Sequence, residues 1–378
     1  MQSNPLWPAR DRFPKLEGKS AADIVVIGAG IAGMSCAYHL SSAGYDVAVL
    51  EMDELGSGAT GASSGVLYYG SGTNFVPAIG LFGRERAALL WKETAEVIED
   101  IARTIAEHGI SCGLTREGAI MAAKTDGEME LIRREHAALE EIGIKTTVLT
   151  AAQVAEYYSP SGFLGGLAFG TCGQIHPGLF IQGLARSAGI RLYENSEVTG
   201  YRREGGKIVV STKAGSVSCS KAIYATNAQP CFGMERHFRL ESSVIIAGEP
   251  VADIGRVWPK KTIIWTMEER YDLIYPQEGR LVLELYRLEG REQKLRHYYP
   301  GVEFRIDKTW GKAWAKTSDF MPIVGEVERD VYVAIGMGDQ GIIMGWLAGR
   351  KLAGLMGGKE PDWFLDLASP KRFGHVRT

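Results

Sequence analysis

The chain has 378 residues, 45% hydrophobic and 23% charged, which is enough apolar material for one large or two interlocked globular units and excludes disorder as the default. A formal net charge of −3 with no long run of Lys or Arg leaves no electrostatic footprint for nucleic acid or an anionic membrane surface. No stretch approaches the ~20 apolar residues of a membrane span, the N-terminus lacks a secretory apolar core, and the five cysteines (Cys36, Cys112, Cys172, Cys219, Cys231) follow no metal spacing, so a cytoplasmic protein with reduced thiols is expected.

Asp23-Ile-Val-Val-Ile27 reads as a strand that stops at Gly28, residues 34–43 are helix-periodic, and a second strand, Asp46-Val-Ala-Val-Leu50, ends on Glu51. Residues 23–51 therefore predict a βαβ unit with a parallel crossover. Leu89, Leu90, Val97, Ile98, Ile101 and Ile105 fall near one face of a long amphipathic helix over 84–108, and a further helix is expected over about 128–142. After Pro177, residues 179–188 read as helix, and β-type runs at 190–193, 207–212 and 222–226 return the chain to a sheet rich in parallel strands. From Val244 to Tyr286 alternating, aromatic-containing runs, among them 262–266 and 280–286, predict an antiparallel sheet and hence a second, inserted domain. Val331-Tyr-Val-Ala-Ile335, Gly336 and a helical stretch over 341–356 repeat the order strand, glycine, helix.

Gly28-Ala-Gly-Ile-Ala-Gly33 is a dinucleotide fingerprint in its required setting, directly after a strand and opening a helix. Gly28 permits the tight turn, Gly30 lets backbone approach a pyrophosphate, Gly33 allows helix and strand to pack, and the helix N-terminus offers N–H groups to phosphate. Glu51, 21 residues past Gly30, is placed to take a ribose hydroxyl. This motif alone does not choose between NAD and FAD. The following loop, Gly56-Ser-Gly-Ala-Thr-Gly-Ala-Ser-Ser-Gly-Val-Leu67, is built of small residues that let backbone N–H groups and hydroxyls approach a phosphate or flavin.

With these segments the chain resembles the D-amino-acid-oxidase-like superfamily of FAD-dependent oxidoreductases, which includes glycine oxidase, sarcosine oxidase and gamma-glutamylputrescine oxidase. The resemblance also runs through Phe13-Pro-Lys-Leu-Glu-Gly18, Gly173-Gln-Ile-His-Pro177, Ala225-Thr-Asn-Ala228, Thr317-Ser-Asp-Phe-Met-Pro-Ile-Val-Gly325, Ala334-Ile-Gly-Met-Gly-Asp-Gln-Gly-Ile342 and Leu347-Ala-Gly-Arg-Lys-Leu-Ala353. It implies an α/β (α+β overall) architecture, a Rossmann-type FAD-binding domain with an inserted mixed or antiparallel-sheet substrate domain. The expected division is an N-terminal arm over 1–19, FAD-binding segments 20–83, 150–235 and 305–378, and substrate segments 84–149 and 236–304. Non-covalent FAD would be held by Gly28, Ala29, Gly30, Ile31, Ala32 and Gly33, by Glu51 and Met52, and by Ala62, Ser63, Ser64, Gly65 and Val66. Val198, Thr226 and Asn227 would join them, with Gly336, Gly338, Asp339, Gln340, Gly341 and Ile342 beside the ring.

The chain departs from these relatives at several places. Where the glycine oxidase branch has carboxylate-binding arginines, this sequence has Trp314 or its neighbours and Asp339; where the sarcosine oxidase branch has its flavin-linking cysteine, Lys312 stands close by. The lysine that promotes reaction with dioxygen is replaced by Leu283, and a glycine pair by Glu284-Leu285. Glu284 could narrow the pocket, but the favoured expectation is that it faces solvent from an alternating strand; Lys312 and Lys316 could supply positive charge near the flavin, although solvated surface lysines are commoner, and Lys312 and Trp314 are candidates for the catalytic wall. Asp339 reads equally as a helix N-cap or as a carboxylate holding a cationic substrate, which would favour a polyamine-like amine over glycine or sarcosine. His176 is expected to make a structural hydrogen bond, Cys172 to pack, and Tyr275, Tyr286 and Arg287 are the remaining substrate-side candidates.

The expected activity is removal of a hydride from the carbon next to an amine of an amino acid or polyamine-like amine, with dioxygen or another acceptor taking the electrons. Such a reaction needs position and field more than a dedicated base. A hydroxy-acid or alcohol dehydrogenase, with His176 or His297 as base, and an FAD-binding subunit of a larger complex are the alternatives; an oligomer is compatible with any of them.

Overall fold

The computed structural model describes Leu6 and residues 11–158, 162–187, 189–268, 270–286, 289–299 and 302–374. Its first layer follows from the βαβ start. Ile24–Ile27 and Val47–Leu50, buried at every position, pair in parallel on either side of the crossover helix Ile31–Ser42. Uninterrupted burial is what a strand covered on both faces requires. Lys221–Tyr224, Val331–Ile335 and Arg191–Tyr193 extend this sheet in parallel, and Ile323–Glu328 closes it with an antiparallel edge. This layer is thus assembled from segments far apart in the chain.

The strand Lys207–Thr212 does not enter the parallel sheet that the sequence reading assigned to it. It sits in a separate four-stranded sheet with Val198–Glu204, Gly215–Cys219 and the N-terminal strand Gly18–Ala21. Two tight reversals make local antiparallel pairing cheaper than a crossover.

The second layer is an eight-stranded sheet in the spatial order Ile306–Thr317, Phe238–Gly248, Arg280–Leu285, Leu273–Gln277, Ile263–Thr266, Ala119–Ala123, Gly165–Phe169, Thr147–Thr150. It is mixed rather than purely antiparallel, because Ile263–Thr266 lies parallel to Ala119–Ala123. Its membership moves two of the expected boundaries. Gly165–Phe169 and Ile306–Thr317, both placed by the sequence reading with the FAD-binding segments, are hydrogen-bonded into this sheet. The expected helices are found at Arg84–Glu107, Asp126–Glu141, Pro177–Ser187 and Gly341–Met356. Among the described residues no helix is long and apolar enough to cross a membrane.

One helix pair sets the site. A Cβ on Gly345 would lie 3.1 Å from Ile31 Cγ2 and 3.2 Å from Ala32 N, and one on Gly349 2.3 Å from Ser35 Oγ and 2.5 Å from Cys36 N. Each step of four residues along Gly341–Met356 therefore matches four along Ile31–Ser42, so the two helices run parallel, in backbone contact that only glycine allows. Ser35 Oγ donates to Trp346 O at 2.9 Å and ties them. Both N-termini consequently open on the same side.

Candidate active site

A cavity of about 370 Å³ lies between the parallel sheet and the eight-stranded sheet. Gly30, Ile31 and Ala32 line it from the first helix N-terminus, and Gly341 and Ile342 from the last. Two positive helix ends aimed into one cavity favour an anionic occupant. The glycines around the first end differ in what demands them. Gly28 has φ +100 and a Cβ there would lie 2.6 Å from Ala225 O; at Gly33 it would lie 1.9 Å from Gly28 O. Gly30, by contrast, has φ −72 and ψ 179, which any residue adopts, and a Cβ there would meet only Thr60 Oγ1 at 3.3 Å, on the cavity side. The protein itself barely needs a glycine at this position; a group bound against its backbone does. These residues fit the pyrophosphate of a dinucleotide.

Glu51 Oε2 accepts from Ala29 N at 2.7 Å and Oε1 from Asp53 N at 3.0 Å, fixing the carboxylate at the end of its strand, while burial pushes its pKa up against these two amides. Thr60 from the small-residue loop accepts from Ile31 N at 2.9 Å, and Ser63, Ser64 and Val66 line the cavity beyond it. Asn227, Gly338, Asp339 and Gln340 also line it. Gly28, Ala29, Gly33, Glu51, Met52, Ala62, Gly65, Val198, Thr226 and Gly336 stand outside that lining.

The opposite wall is a β-ladder. In Ile306–Thr317 the residues Lys312, Trp314 and Lys316 alternate with small ones, so all three project from one face, and their partners across the pair are Ser243, Glu241 and Arg239. Lys312, Trp314, Lys316, Glu241 and Arg239 all line the cavity, together with Tyr68, Trp265, Tyr271 and Tyr286. Lys312 Nζ sits 5.0 Å from the centre of the Trp314 ring, and Tyr286 meets Trp314 edge to face with centroids 5.8 Å apart.

Both lysines carry a buried counter-charge. Lys316 Nζ is 3.0 Å from Asp339 Oδ2, with side chains 14% and 2% exposed, and Lys312 Nζ is 2.6 Å from Glu284 Oε1, with 12% and 2%. Ser243 Oγ adds a hydrogen bond to Glu284 Oε1 at 2.7 Å, leaving Oε2 without a partner. Three expectations are thereby corrected. Glu284 does not face solvent, because a lysine from the next-but-one strand supplies the charge that lets it stay buried. Lys312 and Lys316 are not solvated. Asp339 is not a helix cap: the cap position is Gln340, with no side-chain cap bond, and the carboxylate instead faces Lys316, with Tyr286 Oη at 3.5 Å.

Arg239 and Arg270 line the cavity where its wall reaches solvent, and neither was singled out from the sequence. Arg239 pairs with Glu241 at 2.7 Å. Of the other candidates, Tyr275 is fully buried away from the lining, and Arg287 lies outside the described residues. His176 Nδ1 accepts from Leu179 N at 3.0 Å, the structural role expected of it; His297 is exposed on the helix Arg291–Tyr298. No histidine lines the cavity among the described residues. All five cysteines are free and buried, and none lines the cavity. Burial pushes the thiols up, Cys36 to about 12 and Cys112, Cys219 and Cys231 to about 11, with Cys172 raised in the same direction. These are packing thiols, not nucleophiles.

The family of FAD dependent oxidoreductases called DAO matches residues 23–355. The chain is 26% identical over 380 residues to gamma-glutamylputrescine oxidoreductase of Escherichia coli (strain K12), covering 92% of this chain and 86% of that one. It is 26% identical over 384 residues to glycine oxidase of Geobacillus kaustophilus (strain HTA426), covering 94% and 97%. The crystal structure of glycine oxidase from Geobacillus kaustophilus superposes with a TM-score of 0.78 at 22% identity, over 95% of this chain and 100% of that one, a likeness of fold.

Proposed function

We infer the reaction from membership: the chain belongs to the DAO family of FAD-dependent oxidoreductases, and the cavity is best suited to oxidation of an amine at the carbon that bears the nitrogen. FAD, when bound, accepts the hydride from that carbon, and the resulting imine hydrolyses in water. Gly30 to Ala32 and Glu51 would hold its diphosphate and ribose, with Gly338 to Ile342 at the other end of the cavity.

The observation that carries the amine reading is that no unpaired general base stands among the described lining residues. An alcohol must lose its hydroxyl proton as the hydride leaves, so it needs a base in contact; a neutral amine does not. Among the described lining residues there is no histidine, the carboxylates Asp339, Glu241 and Glu268 are each paired with a cation, Lys316, Arg239 and Lys124, and burial raises the Tyr271 and Tyr286 phenols, which keeps them protonated and leaves no phenolate to take a proton. Tyr286 is instead suited to accept a hydrogen bond from an amine N–H while its own hydrogen points to Asp339. Trp265, Trp314 and Tyr68 exclude water around the reacting carbon. Relatives whose names state a substrate, among them gamma-glutamylputrescine, 4-methylaminobutanoate and glycine, support a nitrogen-bearing one.

The flavin is held without a covalent bond, since no cysteine lines the cavity among the described residues, and the buried free thiols suit a reducing, cytoplasmic setting. Acid precipitation should release all yellow colour into the supernatant; colour kept in the pellet contradicts this. The activity itself is tested by anaerobic titration of the holoenzyme with primary and N-methylated amines and with the matching alcohols. Bleaching by an amine is the expected result, and bleaching by alcohols alone would replace this reading. Admission of air then shows whether dioxygen or another acceptor takes the electrons.

A further inference from the structure

The charges of the cavity are arranged in two zones. In the inner zone each cation is matched by a buried carboxylate, Lys316 by Asp339 and Lys312 by Glu284. A substrate carboxylate brought there would meet two lysines already neutralised and two fixed negative charges close behind them, so attraction and repulsion nearly cancel and its desolvation goes uncompensated. The rest of that zone is aromatic, from Tyr68, Trp265 and Tyr286. In the outer zone Arg239 is exposed and steadied by Glu241, Glu268 is engaged by Lys124 at 3.1 Å, and Arg270, also exposed, has no carboxylate partner among the described residues. Arg270 is the one lining cation left without a counter-charge among the described residues.

We propose that the substrate carries an anionic group several bonds away from the carbon that is oxidised, taken by Arg270 with Arg239 at the mouth, so that ω-carboxylated amines rather than α-amino acids are the class this cavity accepts. The proposal rests on the amine reading above and refines it. An α-amino acid would have to place its carboxylate beside the reacting carbon, in the inner zone, where no unmatched cation waits. An ω-carboxylated amine leaves a neutral, flexible stem among the aromatic rings and sets its carboxylate against a guanidinium, whose planar fork suits two oxygens. This departs from the cationic, polyamine-like substrate expected from Asp339 alone, because Lys316 has already taken that charge.

The test uses the FAD-loaded protein and two independent readouts. Redox-inert probes are titrated first, following perturbation of the flavin spectrum: hexanoate, hexanamide and acetate. Hexanoate should bind at least about tenfold more tightly than the other two, and Arg270→Gln should remove about tenfold of that preference without changing hexanamide binding. Arg239→Gln should act in the same direction. Anaerobic reduction by 4-(methylamino)butanoate, N-methylbutylamine and sarcosine follows, with the first the most efficient. If sarcosine is the preferred reductant, or if Arg270→Gln and Arg239→Gln leave hexanoate and hexanamide where they were, the two-zone assignment is wrong. If no amine reduces the flavin while hexanoate binding still depends on Arg270, the amine reading fails and the anion site stands. Retained FAD content in both variants shows that exposed-arginine replacement has not disturbed the fold.

Discussion

Gly30→Ala is expected to yield a folded, colourless protein. The backbone at residue 30 is extended, so alanine fits it without torsional cost, and the new methyl group leans on Thr60 Oγ1 alone. What it fills is the space through which a pyrophosphate reaches the backbone at the start of the helix, so FAD affinity should fall by at least on the order of a hundredfold. Gly30→Val should do the same more completely. Gly28→Ala and Gly33→Ala serve as contrasts: the first is forced to positive φ against Ala225 O, the second drives a methyl group into Gly28 O, and both should lower the yield of folded protein. The measurement is flavin absorbance per polypeptide after purification with added FAD, beside the thermal midpoint of wild-type and variant proteins both stripped of flavin. Matching apo midpoints with lost colour support the assignment. Full FAD occupancy in Gly30→Val would remove it.

The contrast among these glycines also shows which parts of the site a reader of the sequence can reach. The βαβ start and the closing strand, glycine and helix are local patterns, with hydrophobic period and turn chemistry agreeing within some thirty residues, and they appear where expected. The parallel contact of the two helices through Gly345 and Gly349 is not local, although Gly345-x-x-x-Gly349 was there to be seen. The substrate wall was hidden for a different reason. The run Trp310, Lys312, Trp314, Lys316, with small residues between, is a strand signal of period two, but its place just before the Thr317–Gly325 motif drew it into the FAD-binding segments. Glu284 was assigned to solvent by the rule that lone carboxylates in alternating strands point outward; Lys312, on a strand two places away in the sheet, overrides that rule. Arg239 and Arg270 carry no local signal, since each stands near acidic residues in a stretch with no motif and meets the cavity only through the pairing of distant strands.

Breaking the Lys316–Asp339 pair should have the largest effect of any single change in the substrate wall, and its two halves should fail differently. Lys316→Met leaves the Asp339 carboxylate, 2% exposed, with only a phenol hydroxyl at 3.5 Å, and removal of one partner of a buried pair typically costs about 3–5 kcal/mol. Denaturant midpoints should therefore fall sharply for this variant and recover in Lys316→Met/Asp339→Asn, which buries no unmatched charge; a double-mutant cycle reads the coupling directly. Asp339→Asn alone keeps a polar partner for Lys316 but frees its positive charge inside the cavity. That creates in the inner zone the unmatched cation that the native site lacks. Sarcosine and glycine, whose carboxylates must lie there, should then bind more tightly by on the order of tenfold, while N-methylbutylamine gains nothing. The charge of Asp339, and not its shape, would then be the element that keeps α-carboxylates out. If Asp339→Asn leaves the order of sarcosine and N-methylbutylamine unchanged while retaining FAD, Lys316 is not directed at the reacting end of the substrate, and the pair serves only to lock the final glycine loop onto the eight-stranded sheet.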